Sequence, residues 1–283
     1  MTKLKFSLEN KTSETLLLTL YARALESQKT NPLLNDSHAV QLVEQIDFDF
    51  SIFDNIPTTS AGIALRSIHF DQVTSDFIQA NEQPIVVVVG CGLNTRKQRL
   101  GDIGDKAIFY QLDLISVIKL RKKLLPADKN EHYIGRCLLD EGWKDELLKK
   151  HPAGNFIFII EGVLMYFDAT DNRHFFNQIA ERFDGAELHF DMLNEWMSRN
   201  TAMHEGVNKT DATFKFGLND EHQLANWVDG LVHEKTWLIA DNPDWYRMGL
   251  PFVSAYLFNY TIQTAVKFLK FKIKNRQKQL EFF

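Results

Sequence analysis

Cysteine is scarce in this chain, proline is sparse, and positive charge is not in excess. Its 283 residues include two cysteines, Cys91 and Cys137, with no Cys-x-x-Cys pair and no Cys/His cluster at ligand spacing. That excludes a disulfide framework and argues against a structural zinc site, so no metal ligands are assigned. Seven Pro and fourteen Gly leave no room for a collagenous or low-complexity chain. A formal net charge of −5 argues against a broad nucleic-acid footprint, which needs a basic excess. The strongest apolar run, FIFIIEGVLMYF at 156–167, is too short for a membrane span and carries Glu161 in its middle. The opening MTKLKFSLENKTSET has no apolar region of the kind a secretory signal needs. The expectation is a cytoplasmic protein with no integral membrane segment. Nothing in the sequence speaks to oligomeric state.

What is present is ordinary globular material, 45% hydrophobic and 24% charged, enough for a sizeable core. Helical spacing of Leu17, Leu20, Tyr21, Ala24 and Leu25 predicts a helix over 12–30, with Ser13 as its N-cap. A second helix is expected over 36–45, capped by Asp36 or Ser37, and a third over about 60–80. The pattern then changes. PIVVVVG at 84–90 is a short, β-branched run bounded by Pro and Gly, the signature of a strand buried on both faces. Further strands are expected at 107–114, 132–139, 155–162 and 186–193, with helices at 115–125, 143–150 and 169–183 between them. This alternation implies βαβ units and a doubly wound, mostly parallel α/β sheet. A late strand is expected at 235–240 and a largely helical segment at 251–280. The reading is one domain: a helical extension over 1–80, a Rossmann-like core over 84–240 and a C-terminal helical segment over 241–283.

The first strand runs into Gly90-Cys91-Gly92-Leu93-Asn94-Thr95. A G-x-G after an apolar strand permits a tight turn and close approach of backbone to a ligand. Asp113 ends the second strand, where an acid can accept hydrogen bonds from both ribose hydroxyls of a nucleoside. A nicotinamide dinucleotide and S-adenosylmethionine (SAM) both fit. Thr95 stands where the third glycine of a dinucleotide fingerprint would be, which disfavours the pyrophosphate-bearing ligand. Glu161, at the end of the fourth strand, is costly in such an apolar run unless it is paired or faces a ligand.

These pieces resemble the leucine carboxyl methyltransferase superfamily of class I SAM-dependent methyltransferases, in its bacterial polyketide O-methyltransferase branch. The resemblance is carried by SETLLLTLYARALES, NPLLNDSHAVQLVEQIDFDF, VVVVGCGLNTR, YQLDLISVIKLRKKLLP, LLDEGW, IIEGVLMYF, HFDML and FKFGLND, in order between about 13 and 240. It implies a SAM-binding sheet with a helical lid formed partly by the N-terminal segment. It further implies Arg66 on the methionyl carboxylate, Gly90 and Gly92 beneath the methionyl part, and Asp113 on the ribose. Cys137 and Leu138 would flank the adenine, Glu161 would lie near the sulfonium and amino end, and Arg23 belongs to an N-terminal motif of the family. Two positions depart from the common pattern: Gln111 and Asn94 stand where an Asp is frequent.

The activity expected from this is O-methylation of a small molecule, with a carboxylate favoured because it needs no general base near neutral pH. Tyr166 is a candidate for the acceptor pocket. His69, His189 and His204 qualify as bases by chemistry alone. Two other readings stay open: an NAD(P)-dependent oxidoreductase, and a non-catalytic interaction protein with a degenerate SAM site. The lysines at 267, 270, 272 and 274, followed by Arg276 and Lys278, alternate with Phe268, Leu269, Phe271 and Ile273. They read as a terminal helix with a solvated basic face, or as an amphipathic helix lying on an anionic membrane.

Overall fold

The structure is a computed structural model that describes residues 3–7 and 11–274. In chain order the main elements are α1 (Thr15–Ser27), α2 (Ser37–Gln45), α3 (Pro57–Ala80), β1 (Pro84–Val89), α4 (Arg96–Leu100), β2 (Ile108–Asp113) and α5 (Ile115–Leu124). Next come β3 (Glu131–Gly135), α6 (Gly142–Lys150), β4 (Asn155–Ile160), α7 (Ala169–Arg182), β5 (Glu187–Leu193) and α8 (Glu195–Arg199). The last are α9 (His222–Trp227), β6 (Leu231–Leu238), α10 (Leu250–Phe258), α11 (Tyr260–Gln263) and β7 (Val266–Ile273).

The seven strands form one sheet in the order β3-β2-β1-β4-β5-β7-β6. The first five are parallel, and β7 pairs antiparallel with both β5 and β6. This is the doubly wound α/β arrangement that the βαβ alternation implies. Every residue of β1 is buried, as its run of Val and Ile requires in a strand covered on both faces. Val87 and Val89 face a core built with Trp143 of α6 and Phe175, Phe176 and Ile179 of α7. Val86 and Val88 face the opposite core, with Phe70 and Phe77 of α3 and Ile118 of α5. Chain order reverses at β1, which lies between β2 and β4. Loops leaving the carboxyl ends of β1 and β4 therefore diverge there and leave a crevice.

Several expectations need correction. Of the segment expected to be largely helical, 251–280, the described residues 251–274 are not: α10 and α11 are short, and β7 inserts between β5 and β6. Leu269, Phe271 and Ile273 alternate with lysines at a period of two, and the core takes up the apolar face. The basic residues are not a solvated helix face. Lys270 pairs with Glu187 (3.1 Å) and Glu234 (3.0 Å), and Lys267 pairs with Glu221. The remaining tail positions, Arg276 and Lys278, lie outside the described residues.

The core sheet thus does not end at 240. Its late strand begins at Leu231 rather than 235. The helix expected from 12 begins at Thr15 behind a 3₁₀ turn, and Ser13 does not cap it. It ends at Ser27, whose hydroxyl accepts the Asp36 N–H and turns the chain back. Asp36 caps α2 as expected, accepting the Ala39 N–H at 2.9 Å. β3 stops at Gly135, so Cys137 and Leu138 lie in the loop beyond it. There the Lys144 ammonium pulls the chain into a turn by donating to the carbonyls of Leu138 and Asp140. Among the described residues no helix is long and apolar enough to cross a membrane.

Candidate functional site

The loop after β1 is built to bring backbone close to a ligand. Gly90 and Gly92 both adopt positive φ (67° and 48°), a region that side-chain-bearing residues avoid. A Cβ at Gly90 would sit 2.3 Å from a methyl of Val163, so only glycine fits between β1 and the loop after β4. From beneath, Arg121 of α5 donates to the carbonyls of Gly92 (3.2 Å) and Asn94 (2.7 Å) while paired with buried Glu131 (3.1 Å). Asp113, at the end of β2, accepts the N–H groups of Gly92 (2.8 Å) and Leu114 (2.7 Å). Burial raises its carboxyl pKa against the pull of those two donors.

Around this loop runs a belt of alternating charges. Arg23 of α1 meets Asp36 (2.9 Å), and Asp36 meets Arg99 of α4 (3.0 Å). Arg99 and Arg96 share Asp71 of α3 (2.7 and 3.0 Å). Arg96 and Arg66 share Glu161 (2.6 and 3.1 Å), and Arg66 reaches Asp191 of β5 (3.2 Å). Burial alone would raise the Glu161 carboxyl. Arg66, Arg96 and Arg23 outweigh it and hold the pKa down at about 2. Asn94 adds an amide donor to Glu161 at 3.2 Å, whereas the Asp frequent at that position would place a second carboxylate there. Gln111, the other departure, is buried and donates to Glu131 (2.8 Å).

Beyond Arg66 opens a cavity of about 600 Å³. Its walls come from α1 (Thr15, Leu18), α3 (Gly62, Ile63), α8 (Trp196, Met197), α10 (Phe252, Ala255) and the end of β5 (Leu193), with Tyr166, His204 and Phe214 on irregular segments. The lining is mostly apolar. Arg66, Asp191, Tyr166, His204 and Glu205 are its ionisable side chains. Burial pushes the Tyr166 hydroxyl up to about 12, against a hydrogen bond with Thr15 and the nearby Arg66 charge. Both Asp191 oxygens are engaged, one by Arg66 and one by the Gly162 N–H (2.6 Å). Glu205 accepts the Thr59 N–H at 2.9 Å.

The residues expected at a site are thus partly brought together. Gly90, Gly92 and Asp113 form one group, and Arg66 links Glu161 to the cavity that Tyr166 lines. Arg23 is committed to the belt and to the Leu93 carbonyl (2.9 Å), where it holds α1 against the glycine loop. Cys137 is exposed, and the Leu138 side chain packs into the main core. Of the three candidate histidines only His204 lines the cavity: His69 stacks on Phe268, and His189 pairs with Glu187. Sequence reasoning missed Arg96, Arg121 and Asp191. Asp191 had the same signal as Glu161, an acid inside an apolar strand.

The leucine carboxyl methyltransferase family pattern matches residues 17–180. The chain is 28% identical over 230 residues to the tetracenomycin polyketide synthesis O-methyltransferase TcmP of Streptomyces glaucescens, covering 81% of this chain and 84% of that one. It is 24% identical over 255 residues to the S-adenosyl-L-methionine-dependent methyltransferase dpfgK of Gibberella zeae, covering 83% and 84%. Among solved structures, a DUF574 family protein of Streptomyces avermitilis superposes with a TM-score of 0.59 at 9% identity, over 94% of this chain and all of that one. The chain belongs to the leucine carboxyl methyltransferase family.

Proposed function

We propose that this family member is an O-methyltransferase that esterifies a carboxylate on a small, largely apolar molecule, with SAM as methyl donor. The donor fits the residues present: a side-chain-free cradle at Gly90 and Gly92, a carboxylate at Asp113 for the ribose hydroxyls, and a guanidinium at Arg66 for the methionyl carboxylate. With SAM bound, Glu161 would sit on the ammonium side, and the loop carrying Cys137 and Leu138 would border the adenine. When bound, SAM supplies an electrophilic methyl on a sulfonium.

The chain's own task is to align the acceptor oxygen and exclude water. The cavity beside Arg66 carries this reading. It is apolar, Tyr166 stays protonated there, and the carboxylates of Asp191 and Glu205 are already hydrogen-bonded. A phenol acceptor would profit from a base near its oxygen, whereas a carboxylate is ionised already. The name of the Streptomyces glaucescens relative refers to polyketide synthesis, and polyketide-type acids therefore come first in a substrate panel. The reaction is assigned to the cytoplasm, with no nucleic-acid partner.

The test uses methyl-labelled SAM with paired aromatic acids and phenols. Methyl esters release volatile labelled methanol in alkali, and aryl methyl ethers do not. Alkali-labile label from the acids is the expected result. Alkali-stable label from the phenols would overturn the carboxylate assignment.

A further inference from the structure

His204 lines the cavity with one ring nitrogen already committed. Its Nδ1 accepts the Val207 N–H at 3.1 Å, and its ring meets Phe214 edge-on with centroids 5.8 Å apart. A neutral imidazole that accepts at Nδ1 carries its single proton on Nε2. Burial, reinforced by the Arg66 charge, lowers its pKa to about 4, so the ring is neutral near pH 7. A base would need the opposite tautomer, with a bare Nε2 and the proton on Nδ1, and the Val207 N–H blocks it. No hydrogen bond from Nε2 to another described residue accompanies the one at Nδ1.

We propose that His204 is a specificity-determining hydrogen-bond donor whose Nε2–H holds the acceptor carboxylate by the oxygen that is not methylated. This rests on the carboxylate reading above. One carboxylate oxygen forms the new bond to the methyl carbon, and the carbon–sulfur bond breaks with its electron pair leaving on sulfur. No proton is taken up or released, so His204 keeps its proton throughout. The other charged or titratable groups around the cavity are Arg66 on α3, Asp191 on β5, Tyr166 after β4 and neighbouring Glu205. Arg66 and Tyr166 are donors, and the two acids are hydrogen-bonded to protein groups. Arg66, Tyr166 and His204 thus offer donors to the acceptor atoms of a ligand, while Glu205 holds the Thr59 N–H through one oxygen.

The experiment combines nitrogen-15 NMR of histidine-labelled protein with binding and turnover. The wild-type protein without ligand should show His204 as the neutral Nε2–H tautomer at pH 7. Adding naphthalene-2-carboxylate in the presence of S-adenosylhomocysteine should shift its Nε2 signal. His204→Asn keeps an acceptor for the Val207 N–H and is too short to place its amide N–H at the Nε2 position, while His204→Gln can restore a donor there. Affinity for the carboxylate, and kcat/KM for any acid that is turned over, should fall roughly tenfold in H204N and recover in part in H204Q, as loss of one hydrogen bond to a charged group implies. Affinity for S-adenosylhomocysteine should be unchanged. An Nδ1–H tautomer in the wild type overturns the proposal even if the variants misfold. So does equal carboxylate affinity in folded H204N and wild type. A wild-type product that is alkali-stable would instead sink the carboxylate assignment, a separate readout from the tautomer.

Discussion

The belt around the glycine loop and the cavity beyond Arg66 handle polar groups in opposite ways. In the belt Arg23, Arg99, Arg96 and Arg66 each meet one or two carboxylates, in unbroken alternation from Asp36 to Asp191. In the cavity the groups left to meet a ligand are largely neutral, the Tyr166 hydroxyl and the His204 imidazole. Burying an unpaired charge costs several kcal/mol, so a network of buried ions is stable only when closed. A neutral donor costs far less to leave waiting for a ligand. The belt therefore ties α1 and α3 to the sheet, and the cavity is the surface that the proposed function assigns to the acceptor. Arg66 belongs to both.

The largest expected effect breaks the scaffold. Glu161→Ala leaves Arg66 and Arg96 facing each other without their shared carboxylate. It should destabilise the protein by about 3–5 kcal/mol in urea unfolding, the range for opening a buried pair. A loss below about 1 kcal/mol would mean that the belt holds nothing together.

Acid separates the two regions by pH. Glu161 and Asp36 have pKa values of about 2, below their ordinary 4.5 and 3.8. Their stabilisation is complete above the ordinary carboxyl range and is lost as pH falls through about 4 to 2. His204 and His69 are held down at about 4 from 6.5. The unfolded chain therefore binds more protons than the folded one between those values, and stability declines as pH falls from 6.5 to 4. Each group should contribute roughly 2–4 kcal/mol across its window, read as unfolding free energy against pH. H204N should remove the His204 share of the upper window, leaving that of His69 and the whole of the lower window. A single transition confined below pH 4 would contradict neutral buried histidines.

The smallest effect comes from the cavity alone. Tyr166→Phe removes one hydroxyl hydrogen-bonded to Thr15 and should cost about 1 kcal/mol of stability or less. It should raise KM for the acceptor several-fold and leave affinity for SAM unchanged, which calorimetry and initial rates separate. A matching loss of SAM affinity would move Tyr166 from the acceptor cavity into the cofactor site.

Legibility followed the same division. Strands β1 to β5 and their helices were readable because each buries its own periodic pattern, as the unbroken apolar run of β1 illustrates. β7 was not readable as a strand. Lysines interleaved with Phe and Ile satisfy a helical face as easily as a strand, and only pairing with β5 and β6 decides between them. Gly90, Gly92, Asp113 and Glu161 were legible because each sits where a strand ends. Cys137 and Leu138 were placed at the end of a strand expected to reach 139, but it ends at Gly135, and Lys144 turns the chain beyond it at Leu138 and Asp140.

Alone, the sequence determined the parallel sheet, the glycine turn and acids at the strand ends, and membership of a methyl-transferring family. Those features depend on burial and turn chemistry within one segment, which local periodicity records, while the crevice follows from the strand order that sets β1 beside β4. Only the tertiary structure decided that Arg23 starts a belt of ion pairs, that Asp191 anchors Arg66, and that His204 keeps its proton on Nε2. The first two depend on which group lies opposite across 13 and 125 residues, and the third on a turn that sets the Val207 N–H against His204 under a cavity wall. A buried charge or imidazole takes its state from its partner in space.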